Sequence, residues 1–312
     1  MNVIVTPAPH IRSEQSVQNV MLNVLIALIP TTLAGVFFFG PPALAVIITS
    51  VLSALAVEAF INWIKKEPLT ITDGSAAVTG LLLALVLPPV LPIWMVIIGN
   101  IVAIGITKHF FGGLGHNIFN PALAARLFLA VSYPVAMTTW YKAGAWFQHL
   151  PITTATPLSK GSGMVFSNFQ LFMGNVPGSI GETSAFAIIL GAAWLFHKKI
   201  IDWKIPATFL GMIFLVALLA KQDPFFHVFA GGAMIGAFFM LTDYVTSPIT
   251  KIGRIIYGLM TGILVMTIRL WSHMPEGVAF SIVLMNGFVP LFDKLGIFLH
   301  ISIYERLFRI KK

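Results

Sequence analysis

Cysteine is absent from the 312 residues, and charge is scarce: Asp, Glu, Lys and Arg together make up 10%. Without thiols the chain holds no disulfide framework, no thiolate metal site and no cysteine-ligated iron–sulfur cluster of its own. Any redox chemistry must therefore come from a bound organic cofactor or a non-thiolate site. A soluble fold carries roughly a quarter of its residues charged, so this composition excludes an ordinary soluble domain. An apolar leader with a small-residue cleavage site is also missing. The first residues are polar, with Arg12, Glu14 and Gln15, and predict no cleaved signal peptide.

What takes the place of charge is hydrophobicity, at 57% of residues and a mean hydropathy of +0.91. Apolar runs of bilayer-spanning length recur from residue 20 onward. They predict an all-α polytopic membrane protein with about ten transmembrane helices, over 20–39, 43–64, 75–89, 92–107, 119–133, 183–196, 205–220, 226–241, 255–271 and 278–293. Gly40-Pro41-Pro42, Pro88-Pro89 and Pro92 mark turns between them. Spans three and five open on Asp73-Gly74 and Asn120-Pro121, and such interruptions at membrane depth read as broken or re-entrant helices.

The net charge of +8 does not point to nucleic acid, because the basic residues sit in short clusters between apolar runs, as the positive-inside rule produces. With a cytoplasmic N-terminus, fourteen of the 19 Lys and Arg fall inside: Arg12, Lys65, Lys66, Lys108, Lys198, Lys199, Lys204, Lys251, Arg254 and the tail Lys294, Arg306, Arg309, Lys311 and Lys312. Lys142, Lys160, Lys221 and Arg269 fall outside, and Arg126 lies within a span. The organisation that follows is a cytoplasmic segment 1–19, a five-span half 20–133, an external loop 134–182, a second five-span half 183–293 and a basic cytoplasmic tail 294–312. Two sets of five spans would make any internal repeat inverted, since an odd number of passes flips the second half. In that register Gly74-Ser75-Ala76 corresponds to Gly231-Gly232-Ala233.

Several polar positions stand out. Glu58 lies inside span two, where a carboxylate is costly; it either pairs with Lys65 or snorkels, or else lines a cation path. Asp73 and Asp243 border spans and read as helix-end caps or as part of the same path. Gly112-Gly113-Leu114-Gly115 separates His109 from His116 and has neither the spacing nor the strand of a dinucleotide fingerprint. Pro177-Gly178-Ser179-Ile180-Gly181-Glu182-Thr183-Ser184 reads as a turn into span six, with Gly181 or Thr183 near the N-cap. The same amides and hydroxyls could hold a flavin phosphate or ring oxygens. In the external loop, Leu150-Pro151-Ile152-Thr153-Thr154-Ala155-Thr156-Pro157-Leu158 offers a threonine hydroxyl ahead of a proline that keeps the chain extended.

Thr153, Ala155, Thr156, Pro157 and Leu158 closely resemble the flavin-attachment motif of the RnfD family, the membrane components of Rnf-type ferredoxin:NAD oxidoreductases. The related NqrB component of Na⁺-pumping NADH:quinone oxidoreductases shares that motif. The family motif begins with Asp six residues before the modified Thr, where this chain has Leu150. The resemblance extends through Thr72-Asp73-Gly74-Ser75 with Thr79-Gly80-Leu81-Leu82-Leu83-Ala84, and through Lys108-His109-Phe110-Phe111-Gly112-Gly113-Leu114-Gly115-His116-Asn117 with Phe119-Asn120-Pro121-Ala122. Leu241-Thr242-Asp243-Tyr244-Val245-Thr246-Ser247 and Pro275-Glu276-Gly277-Val278-Ala279-Phe280 complete it. The chain lacks the extended N-terminus of the quinone-reductase component and is closer to the Rnf group.

The resemblance implies a membrane flavoprotein subunit that relays electrons between ferredoxin and NAD, coupled to export of Na⁺ or H⁺. It implies FMN esterified to Thr156, with Gly181, Glu182 and Thr183 as a flavin-contacting segment. A non-covalent riboflavin, held by members of the group, is a second cofactor to look for. The implied partners are a second covalent-flavin subunit, iron–sulfur subunits, a flavin transferase for maturation and the bilayer of the cell inner membrane. Hydropathy by itself equally fits a solute transporter with no redox role, or an assembly subunit in which the Thr-Ala-Thr-Pro segment is unmodified.

Overall fold

The computed structural model describes residues 16–144, 153–154, 156–158, 166–272 and 277–308 of the chain, with only the backbone path at 153–154 and 302–308. Ala155, Leu150, Glu276, the side chain of Thr153 and the polar N-terminus lie outside the described residues.

Helix α1 (Val17–Phe39) begins where Ser16 Oγ accepts from the Asn19 amide, and stops at Gly40, whose φ is 71°. Pro41 and Pro42 then open α2 (Pro41–Lys65) at positions where a missing N–H costs nothing. Within their most apolar windows only 22% and 28% of residues are covered by protein. Leu33, Phe37, Leu52 and Trp63 stand 60% or more exposed. Apolar faces of that extent are stable against hydrocarbon and not against water.

Asp73 Oδ1 accepts from the amide and hydroxyl of Ser75 at 2.7 and 2.6 Å, fixing the start of the short helix α3 (Ser75–Leu85). Helix α4 runs as an α-helix over Ile93–Asn100 and continues as a π-helix over Ile101–His109. Ser50 on α2 donates to the carbonyl of Gly80 on α3 at 2.7 Å, and Asn100 on α4 donates to Ser50 at 3.0 Å. This buried polar stitch holds the three helices, and the absence of a Cβ at Gly80 lets α3 lie on the Ser50 carbonyl. Asn120 caps α5 (Pro121–Ser132) through Ala122 and Leu123, again with proline in the first turn.

The connection 134–182 carries the short helix α6 (Pro134–Met137) and the two-residue antiparallel pairing of Trp140 with Thr154 and Tyr141 with Thr153. It also contains α7 (Asn168–Met173), begun by a Ser167/Gln170 capping box and ended at Gly174. Helix α8 (Ala185–His197) follows, capped by Ser184, one residue past the expected position. A loop through Asp202 leads to α9 (Lys204–Leu219).

The apolar run expected as one span over 226–241 is two pieces. Helix α10 (Pro224–Phe229) ends at Ala230, and α11 starts at Ala233–Ile235 and continues as a π-helix over Gly236–Met240. Gly231, at φ 64°, makes the break between them. Helix α12 (Lys251–Trp271) packs on α9 through Gly258 and Gly262, whose added Cβ atoms would strike Thr208, Phe209 and Met212. Helices α13 (Val278–Gly287) and α14 (Val289–Phe308) meet at a 63° bend. The segment from 294, expected as a basic tail, is helical through Phe308.

Among the described residues, three helices are long and apolar enough to cross a membrane: α1, α2 and α12, with α13–α14 as a bent fourth. Five shorter apolar helices, α3, α4, α5, α8 and α9, accompany them. The chain is an α-helical, multi-pass membrane protein. Helix α1 packs against α8, and α5 packs against α13, so the two ends of the sequence share one continuous core.

Candidate functional site

Thr156, Pro157 and Leu158 lie against the turn that precedes α8. Thr156 is 5% exposed, and its Oγ1 is buried without a hydrogen-bond partner among the described residues. A small, partly open space of about 10 Å³ beside it is lined by Thr156, Pro157, Leu158, Val176, Pro177, Gly178, Glu182 and Gly231. An unsatisfied buried hydroxyl costs about 1–3 kcal/mol, so a buried hydroxyl left without a partner beside such a space is a natural place for an added group.

The turn is held in place by α3. Ile180 and Gly181 donate their amides to the carbonyls of Leu87 and Leu85 at 3.1 and 2.7 Å, beyond the point where that helix frays. A Cβ on Gly181 would sit 2.7 Å from Leu85 Cβ. Gly181 therefore serves close packing and does not line the void. Thr183 is buried, and its hydroxyl turns back to the Ile180 carbonyl at 3.5 Å. Of Gly181, Glu182 and Thr183, Glu182 alone lines the space beside Thr156, with Pro177 and Gly178 from the start of the same turn.

Glu182 also lines a second, deeper space with Val86, Leu123, Arg126, Gly232, Met240 and Val278. There its Oε1 lies 3.3 Å from Arg126 Nη1, with both side chains buried. Arg126 donates further to Ser179 and to the carbonyl of Val86, the C-cap of α3. One carboxylate thus joins the end of a half-length helix to the space beside Thr156. On α12, Arg269 donates to the carbonyls of His227 and Ala230, tying down the end of α10. The connection 134–182 is pinned in turn by Asn168 of α7, which donates to Asp223 at 2.7 Å. That bond holds the Asp223 carboxyl below the usual aspartate range.

At the opposite end of α3 a larger, partly open cleft of about 80 Å³ lies between the two halves, with Ser75, Thr79, Lys108, Asn117, Asn120 and Asp243 among its polar lining and Phe238 and Phe239 among its apolar walls. Lys108 connects to Glu58 at 2.7 Å and to Ser75 Oγ at 2.6 Å. The expectation that Glu58 pairs with Lys65 is corrected here: Lys65 donates to the His109 carbonyl at 3.3 Å instead. The π-helical turn of α4 delivers Lys108 to Glu58. Asp243 accepts from Thr246 Oγ1 at 2.9 Å, within the turn after α11.

The motif located the threonine but not its surroundings. Arg126 and Arg269 come from spans 30 residues before and 113 residues after Thr156 in sequence. The signal that could have found them is their cost: an arginine inside a membrane helix marks a buried partner or a site.

The class defined so far is a multi-pass helical membrane protein with a threonine hydroxyl, buried and without a partner among the described residues, in the long connection between two sets of helices, and paired charges nearby. Residues 4–297 match the NQR2, RnfD, RnfE family, and the chain belongs to that family. It is 46% identical to the D subunit of the proton-translocating ferredoxin:NAD(+) oxidoreductase complex of Clostridium ljungdahlii, over 93% of each chain. It is 44% identical to the D subunit of the Na(+)-translocating ferredoxin:NAD(+) oxidoreductase complex of Acetobacterium woodii, over 94% of this chain and 93% of the relative. Its identity to the D subunit of the ion-translocating oxidoreductase complex of Stutzerimonas stutzeri is 40%, over 90% of each.

Proposed function

We propose that the chain is the RnfD-type membrane flavoprotein of an Rnf-type ferredoxin:NAD oxidoreductase, carrying FMN as a phosphoester on Thr156. The observation that carries this reading is the buried Thr156 hydroxyl, without a partner among the described residues and beside a small space, within the Thr-Thr-Ala-Thr-Pro-Leu segment. Thr156, Pro157, Leu158, Gly178, Glu182 and Gly231 would surround the linkage. Bound there, the flavin would supply one- and two-electron transfer, and the protein's part is to hold, tune and shield it. The covalent tether keeps the cofactor at high effective concentration whatever its redox state.

The remaining assignments follow the same reading. The Lys and Arg distribution supports a cell inner membrane location with cytoplasmic termini and an external flavin-bearing loop. About ten passes in two inverted halves are supported by a matched pair of buried cations. Lys108 sits at the start of α3 and Arg269 at the break before α11, each from the fourth long helix of its half. The cleft between the halves is the space for a non-covalent riboflavin, with Asn117, Asn120 and Thr79 as hydrogen-bonding groups along an aromatic wall. Ferredoxin, NAD, the iron–sulfur centres and the second covalent flavin belong to partner subunits. Relatives of nearly equal identity are named for H⁺ and for Na⁺, so the coupling ion is one of these two.

The test is in-gel fluorescence under ultraviolet light, with peptide mass, on wild type and Thr156→Ala from cells that contain the flavin transferase. Wild type should fluoresce and its Thr156 peptide should carry the FMN mass; Thr156→Ala should lose both and still insert. A dark wild-type band of unmodified mass defeats the flavoprotein reading and leaves a transporter or an assembly subunit.

A further inference from the structure

We infer that Arg269 is the counter-ion of the phosphodiester that links the flavin to Thr156; this rests on the reading of Thr156 as the attachment site. A phosphodiester places one full negative charge next to the threonine oxygen. Among the described residues that line the space there, Glu182 carries the one charge, and it is of the same sign. An anion so placed, beside a carboxylate, calls for a cation within reach.

Arg269 supplies it. Gly231 forms one wall of the space, and a Cβ built on Gly231 would lie 2.8 Å from Leu158 Cδ1 and 3.5 Å from Arg269 Nη2. The guanidinium therefore meets the attachment motif at that glycine. Its side chain is buried, and Nη1 and Nη2 are occupied by the carbonyls of His227 and Ala230. Nε is buried with no partner among the described residues. Thr156 Oγ1 and Arg269 Nε are thus two buried groups without partners among the described residues, and Gly231, which walls the space beside Thr156, packs against the Arg269 guanidinium. A phosphoryl group on Thr156 would bring acceptor oxygens into the space that Gly231 walls, and arginine is the side chain suited to such an anion.

Tying down the end of α10 is by itself a sufficient structural use of Nη1 and Nη2, but it leaves Nε unspent. Arg126, the other buried arginine near Glu182, is engaged with Glu182 itself, the Val86 carbonyl and Ser179. The assignment falls on Arg269 for that reason.

The experiment is a ³¹P–¹⁵N dipolar recoupling measurement on the full chain in lipid, with guanidino-¹⁵N arginine and the flavin installed. Wild type should show the phosphodiester phosphorus dephased by a nitrogen at roughly 4 Å, the separation of an arginine–phosphate pair. R269K should abolish the dephasing, and R269Q should lower flavin per folded chain at least tenfold. Undiminished loading in a folded R269Q, or a wild-type phosphorus without dephasing, overturns the inference. If R269Q does not fold, the wild-type signal and its loss in R269K decide. A wild type with no flavin on Thr156 overturns the attachment reading itself, an outcome distinct from a loaded chain without dephasing.

Discussion

Lys108 Nζ lies 2.7 Å from Glu58 Oε2, and the two side chains are 3% and 0% exposed. Moving both ions out of water costs several kcal/mol each. The arrangement offsets it with Thr70 donating to Glu58 at 2.6 Å, Asn62 donating to Thr70 at 2.8 Å and Lys108 donating to Ser75 at 2.6 Å. Removing one ion strands the other, so Lys108→Met should destabilise the chain by about 3–5 kcal/mol. The double variant Glu58→Gln/Lys108→Met should lose markedly less than the sum of its single variants, with a coupling of about 2 kcal/mol. Thermal unfolding of the solubilised chain, followed by fluorescence-detected size exclusion, measures this. Strict additivity would show that the pair is not the element joining α2, α3 and α4.

Thr156 sets stability against function in the unmodified chain. Its hydroxyl is buried and unpartnered among the described residues, and valine has the same shape without the polar atom. Produced in cells lacking flavin transferase, Thr156→Val should be more stable than wild type by about 1 kcal/mol. Produced with the transferase, it should carry no flavin. A Thr156→Val chain less stable than wild type would mean that the hydroxyl has a hydrogen-bonding role in the unmodified fold.

Local punctuation was legible in the sequence wherever it acts through the backbone. Gly40-Pro41-Pro42 separates α1 from α2, Asp73 caps α3, and Asn120-Pro121 opens α5. Each is a residue acting on neighbours within a turn. Glu58 shows the limit. Counting along its own helix offered Lys65, whereas its partner is Lys108, 50 residues on and delivered by a π-helical turn that no periodicity announces. The break at Gly231 was hidden for a related reason. A glycine in an apolar run reads as close packing, and neither its positive φ nor the approach of Leu158 from a distant loop, which leaves no room for a Cβ, is written in the run itself. Thr156 was legible as a motif; its burial and the buried arginines beneath it are tertiary facts.

Gly191 should be the position in α8 least tolerant of a side chain. A Cβ there would lie 2.0 Å from the Ala27 carbonyl of α1, so the backbones themselves must part. Gly191→Ala is expected to cost about 2 kcal/mol or more. Gly211→Ala in α9 is the control, because nothing lies within 4 Å of its added Cβ. Replacing glycine in an open helical position should instead stabilise by up to about 1 kcal/mol. Paired thermal-shift measurements on these variants check the α1–α8 contact; equal effects would argue that the two helices do not touch at Gly191.

On the cytoplasmic side of the proposed topology, Asp202 lies 3.0 Å from both Lys204 Nζ and Arg254 Nη1. Partial burial alone would raise its pKa, but the hydrogen bonds from Lys204 and Arg254 outweigh it and hold the carboxyl below the ordinary aspartate value of 3.8. The folded state therefore binds the proton more weakly than the unfolded chain. The stabilisation is fully present above the unfolded value and is lost as pH falls through the lower, folded one. Because the three side chains are 21–32% exposed, solvent screening limits the effect to about 1 kcal/mol or less. Asp202→Asn should accordingly lower the unfolding temperature slightly at pH 7 and leave it unchanged near pH 2, with the difference shrinking in high salt. A difference that persists unchanged at low pH would mean that Asp202 acts through packing or a hydrogen-bond geometry that asparagine does not reproduce, and not through its charge.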